Sequence, residues 1–132
     1  MTLTMKRVSL VLAGAVLVAA AFAAGLAKAG SPVNQPTTVI HHVTLKWKAT
    51  ATDADKQKVI DGLKAILAEI PGAKNLWTKS VKVQPREFTQ TFVIEFENEA
   101  ALKAYADHPA KKAWNDHYYS VRETSMNSVT TN

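Results

Sequence analysis

The amino-acid sequence predicts a small α+β domain behind a cleavable export signal. The domain is a four-stranded antiparallel sheet in the split βαβ arrangement, with helices on one face. Three observations predict it. Apolar residues alternate with a period of two in Thr38–Lys48 and again in Phe88–Glu97. They recur at helical spacing from Val59 to Ile70 and again from Trp114 to Val121, a stripe that Lys111 opens. Ahead of both lie a basic start, an apolar run and an Ala-x-Ala site.

The first 29 residues read as the signal. Lys6 and Arg7 are its positive start, Val8 to Ala24 its apolar stretch, and Ala27-Lys28-Ala29 places small residues where a signal peptidase reads them. An uncleaved anchor is the rival reading. The run of 17 residues is at the short limit for spanning a hydrocarbon core of ~30 Å, and it is rich in Ala. Cleavage after Ala29 is therefore expected, giving a periplasmic or secreted protein with no membrane association thereafter. No Cys stands at the junction, so a bacterial lipoprotein anchor is excluded.

Cleavage leaves Gly30 to Asn132, 103 residues, enough for one domain. Lys6, Arg7 and Lys28 depart with the signal, so 13 basic residues face 11 acidic ones. That balance lacks the clustered basic face of a nucleic-acid binder, and no nucleic-acid partner is expected. The chain has no cysteine, which excludes disulfides, thiol catalysis and thiolate metal sites. A domain this small without disulfides gains from burying surface against a second subunit.

Residues 30–37 (GSPVNQPT) form a leader, read as a tether, and the domain proper occupies 38–132. In the first strand, His41, Val43, Leu45 and Trp47 share one face, and His42, Thr44, Lys46 and Lys48 the other. Thr52 is placed to cap a helix whose first turn carries Asp53 and Asp55. Its apolar stripe is Val59, Leu63, Ile66, Leu67 and Ile70, and Pro71-Gly72 ends it. A second strand is expected over Lys74–Val83, and Gln84–Glu87 turns around Pro85. The third strand puts Phe92, Ile94 and Phe96 on one face. Asn98 caps a short helix bearing Ala101, Leu102 and Tyr105. His108-Pro109 interrupts, with Pro109 expected in the first turn of a helix that carries Lys111, Trp114, Tyr118 and Val121 and ends near Glu123. Ser125–Thr130 closes the sheet as a fourth strand.

Several segments now match a known family in order and spacing. They are His41-His42-Val43-Thr44-Leu45-Lys46-Trp47-Lys48, Ile70-Pro71-Gly72, Phe96-Glu97-Asn98-Glu99-Ala100-Ala101-Leu102, and Tyr105-Ala106-Asp107-His108-Pro109-Ala110 followed by Trp114. From Ile40 to Asn132 the chain resembles the stress-responsive A/B-barrel (Dabb) family of dimeric ferredoxin-like proteins. The resemblance implies a homodimer in which two sheets face each other and form a barrel. It implies no single activity: the family includes members linked to stress and a few polyketide cyclases that use a Tyr and a His as acid and base. The family's active-site tyrosine falls on Tyr105 and its strand-one histidine on His41. Its catalytic histidine, the last residue of a His-Pro-x-His motif, falls on Lys111. A histidine titrates near pH 6.5 and a lysine near 10.4. Lys111 can replace it as a base only if burial lowers its pKa by roughly three units.

The ligand-pocket candidates are therefore His41, Tyr105, His108, Lys111 and Trp114, each with a plainer alternative. His41 can be a hydrogen-bonded core residue, His108 a helix-junction residue and Tyr105 a core tyrosine with a satisfied hydroxyl. Lys111 can lay its stem over Trp114 and leave its ammonium in water. His41 and His42 point to opposite faces of a strand and do not form a metal pair. Asp107, His108, Asp116 and His117 match no ligand spacing. No Gly-rich phosphate loop, G-x-S-x-G or H-E-x-x-H is present. No cofactor or metal is expected. The favoured expectation is a homodimeric module for a small apolar or aromatic ligand, or one with a stress-related role. The alternative is a cyclase- or monooxygenase-like enzyme.

Overall fold

The computed structural model describes residues 32–132, so the predicted signal lies outside the described residues. The element order is β1 (Val39–Trp47), α1 (Asp53–Ala68), β2 (Ala73–Trp77), β3 (Gln90–Phe96), α2 (Glu99–Ala106), α3 (Lys111–Val121) and β4 (Arg122–Thr130). The sheet order is β2-β3-β1-β4, with every neighbouring pair antiparallel. This is the ferredoxin-like split βαβ topology that the sequence predicts.

Local chemistry sets the element ends. Thr52 and Asp55 form a reciprocal capping box at α1: Thr52 Oγ1 accepts from the Asp55 N–H at 3.1 Å, and Asp55 Oδ2 accepts from the Thr52 N–H at 3.0 Å. Asn98 Oδ1 accepts from the Ala101 N–H at 3.0 Å and starts α2. Gly72 turns the chain out of α1 at φ +90°, where a side chain would be strained and its Cβ would lie 3.0 Å from that of Ala101.

Alternation along the strands builds the core. Val39, Val43, Leu45 and Trp47 meet Phe92, Ile94 and Phe96 on the helix-facing side, in the register Val43 to Phe92 and Val39 to Phe96. Val59, Leu63, Ile66, Leu67 and Ile70 cover them from α1 and its end, with Ala101, Tyr105, Tyr118 and Val121 from α2 and α3. The opposite face of the sheet carries Ile40, His42 and Thr44 from β1, Val93 from β3, Trp77 from β2 and Met126 from β4. No helix among the described residues covers it, and Trp77 and Met126 are each 50% exposed.

Four expectations are corrected. The second strand ends at Trp77 rather than Val83, and Val81 is fully exposed. Past Trp77 the chain leaves β3; Gln90 Nε2 donates to the Thr78 carbonyl and Ser80 Oγ accepts from the Thr91 N–H, so side chains replace the ladder. Pro109 precedes the Ala110 cap instead of occupying the first helical turn. The last helix stops at Val121, and β4 begins at once with Arg122. Finally, the end of the leader is held: the Pro36 and Thr37 carbonyls accept from Asn132 Nδ2 at 2.8 Å and Thr131 Oγ1 at 3.2 Å. No helix among the described residues is long and apolar enough to cross a membrane.

Candidate functional site

A cavity of about 370 Å³ lies between the helix-facing side of the sheet and the pair α2–α3. Leu63, Phe92, Ile94 and Leu102 form its apolar walls, and His41, Tyr105, Lys111, Trp114, Arg122 and Asn127 bring polar or aromatic groups to it. The register explains the convergence. His41 shares its face with Val43, so the strand points it into the core, and β4 adds Ser125 and Asn127 from the same side. Tyr105 lies near the end of α2 and Lys111 opens α3.

Lys111 is the centre of this arrangement. Its Nζ donates to Tyr105 Oη at 2.8 Å. It lies 4.3 Å from the Tyr105 ring centroid and 3.9 Å from that of Trp114. Trp114 is fixed in turn: its Nε1 donates to the Val59 carbonyl at 2.8 Å, and its ring stacks on Tyr118 at 4.8 Å and 22°. Gly62 on α1 makes room for it, because a Cβ there would stand 2.7 Å from Trp114 Cδ1. The stem of Lys111 does cover Trp114, as the plainer reading has it, but the half-buried side chain turns its ammonium back onto Tyr105. Burial pushes its pKa down to about 8.

The neighbours shift in opposite directions. Burial, with Tyr118 and Tyr119 nearby, pushes the Tyr105 hydroxyl up, so it stays protonated at neutral pH. It accepts from Lys111 and keeps its own proton available for a third group. Burial, then Lys111 and His42, pushes His41 below its ordinary value, which favours a neutral ring. Its ring stands edge-on to Tyr105 at 6.1 Å, and its buried Nδ1 has no hydrogen-bond partner. Arg122 Nη1 donates to Ser125 Oγ, while Arg122 Nε and Tyr118 Oη are buried without partners. Ser125 and Arg122 do face that hydroxyl, but at geometries that make no regular hydrogen bond.

The cavity thus unites His41, Tyr105, Lys111 and Trp114. It excludes His108, whose Nε2 pairs with Glu69 Oε2 at 3.0 Å and whose Nδ1 accepts from the Ala110 N–H at 3.2 Å. His108 locks α3 onto the end of α1, the junction role, and faces a separate outer groove between those helices. His117 also faces that groove, with its Nε2 3.2 Å from the Asp55 carbonyl. No group of three metal-ligating side chains occurs among the described residues. Arg122, Ser125 and Asn127 were missed in the sequence. The helix-face parity of β4 carries the signal for Ser125 and Asn127, once its pairing with β1 is known.

Solved structures with this fold include a Dabb-family ferredoxin-like protein from Mesorhizobium loti, 21% identical, with a TM-score of 0.61 over 72% of this chain and 96% of that one. A dimeric ferredoxin-like protein of unknown function from Thermobifida fusca is 21% identical, with a TM-score of 0.60 over 79% and 100%. The hydroxynitrile lyase of Passiflora edulis is 15% identical, with a TM-score of 0.63 over 74% and 94%. At these identities the likeness is one of fold. No curated protein matches the chain. The stress-responsive A/B barrel domain model matches residues 39–128, nearly all of the folded unit, and the chain belongs to the Dabb family.

Proposed function

We propose that this chain is an exported homodimeric Dabb protein that holds a small apolar or aromatic molecule between its sheet and its helices. The observation that carries the reading is the cavity beside Lys111 and Tyr105. It has apolar walls and a few converging polar groups, and about 370 Å³ falls in the range of ligand sites, roughly 300–1,000 Å³. Export is supported by the basic start, apolar run and Ala-x-Ala site of residues 1–29. The homodimer is supported by the uncovered sheet face with Trp77 and Met126 and by the dimeric relatives of the same fold. Native mass spectrometry on protein produced with its own signal tests all three parts. The expected species is a dimer beginning at Gly30 that carries added small-molecule mass after gentle purification, or gains it on exposure to aromatic compounds. A monomer beginning at Met1 that takes up nothing overturns the reading.

A second reading, an acid–base enzyme on an aromatic or polyketide-like substrate, is favoured by one observation. Lys111 stands where the family's cyclases place a histidine, and its pKa of about 8 lies in the range of a working general base. Tyr105, protonated and 2.8 Å away, is placed to act as the acid. The test is incubation with a linear poly-β-ketone thioester. A cyclised product lost in both Lys111→Met and Tyr105→Phe supports the enzyme; no product from the wild-type protein removes it.

A further inference from the structure

We propose that the cavity selects an organic anion, an aromatic or alicyclic molecule bearing a carboxylate or phenolate, with Lys111 and Arg122 receiving its charge. This rests on the reading of the cavity as a ligand site. Its lining includes Lys111, Arg122 and His41 and contains no Asp or Glu. Lys46, Lys56, Lys64, Lys103 and Lys112 on the surface each face a carboxylate within salt-bridge distance. Among the described residues, neither Lys111 nor Arg122 has such a partner; other basic residues, such as Lys58 and Lys82, also lack one, but only Lys111 and Arg122 do so in the lining of this cavity.

The two cavity cations are held by rings and hydroxyls instead. Lys111 lies over Tyr105 and Trp114. Arg122 lies over Tyr118 and Tyr119, at 5.2 and 4.7 Å. Because Trp114 stacks on Tyr118, one aromatic stack connects the two charges. Ring faces attract a cation but do not neutralise it, and a charge withdrawn from water without a counter-charge is costly. Arg122 Nε, buried with no acceptor, adds an unused donor on the same side. A planar anion supplies what is missing. Its ring fits against Leu63, Phe92, Ile94 and Leu102, and its oxygens accept from Lys111, Arg122 and the Tyr105 hydroxyl.

Calorimetric titration with benzoate, cinnamate and 2-naphthoate, each beside its uncharged primary amide, tests the inference. The expected result is a carboxylate that binds about tenfold or more tightly than its amide, in line with a charge-assisted hydrogen bond. Lys111→Met should erase that preference by weakening the carboxylate more than the amide, and Lys111→Arg should restore it. Arg122→Gln, which is remote from the Tyr105 contact, should reduce the preference as well, so the test survives a poorly folded Lys111→Met. Amides that bind as tightly as carboxylates overturn the anion inference and leave the cavity reading intact. Binding of neither series overturns the cavity reading and this inference with it.

Discussion

Replacing Lys111 with methionine should stabilise the free protein at neutral pH. At pH 7 the ammonium is charged in the folded and unfolded chain alike, but only the folded chain holds it away from water. Burial lowers its pKa from 10.5 to about 8, and a tenfold change in a protonation equilibrium is about 1.4 kcal/mol. The folded state therefore carries a cost of at most about 3.5 kcal/mol. The hydrogen bond to Tyr105 offsets about 1 kcal/mol of it, and the contacts with the two rings about 1 kcal/mol more. Methionine keeps the apolar stem over Trp114 and removes the charge, so the expected gain is about 1.5 kcal/mol. The sign follows the proton count. Below pH 8 both states are protonated and the cost is complete. Between pH 8 and 10.5 the unfolded chain binds more protons, so wild-type stability gains on that of the variant as pH rises. Urea unfolding at pH 7 and pH 9.5, at one protein concentration, measures both. A variant less stable than wild type at pH 7, with an unchanged difference at pH 9.5, refutes the claim that Lys111 lacks a counter-charge.

Three further predictions follow from the packing. Gly62→Ala should push the Trp114 ring away from Val59, destabilising the protein by about 1–3 kcal/mol; a lowered urea midpoint and an altered tryptophan emission would show it. Thr52→Ala removes the Oγ1 that accepts from the Asp55 N–H, while the backbone bond to Asp55 Oδ2 remains; it should cost about 1 kcal/mol, with no change in ligand affinity by titration. Met126→Glu places a charge on the uncovered sheet face and should convert the proposed dimer to monomer in sedimentation velocity, whereas an unchanged dimer mass would place the subunit contact elsewhere.

The sequence makes the fold legible because most of its elements obey one period each. Val43, Leu45 and Trp47 alternate without a break, and the stripe from Val59 to Ile70 is uninterrupted, so β1 (Val39–Trp47) and α1 (Asp53–Ala68) form around these patterns. The second strand does not obey the rule. Val81 and Val83 extend an apolar pattern past Trp77, yet nothing pairs with them, because Gln90 and Ser80 side chains take over the hydrogen bonding there. At the helix-to-strand join, Arg122 and Glu123 suit either state, and pairing with β1 decides for the strand.

The site divides in the same manner. His41 was readable from strand parity and Tyr105 from the family motif. His108 shares that motif but turns outward, because Glu69 and the Ala110 N–H claim its two ring nitrogens. Spacing alone does not show which way a residue at a helix junction points. Nor does it reveal that the Lys111 ammonium folds back onto Tyr105 rather than out to water, since that depends on α2 and α3 packing against each other. Arg122 is a residue of the tertiary structure in the same sense: its place over Tyr118 and Tyr119 requires β4 to begin where α3 stops.

The most direct test of the central claim, that the ligand site lies between sheet and helices, is amide and side-chain NMR of the labelled protein titrated with an aromatic carboxylate. Shift changes are expected at His41, Tyr105, Lys111, Trp114 and Asn127, around the inner cavity. Changes confined to Gln57, Ala65, Glu69 and His117, in the outer groove between α1 and α3, would contradict it.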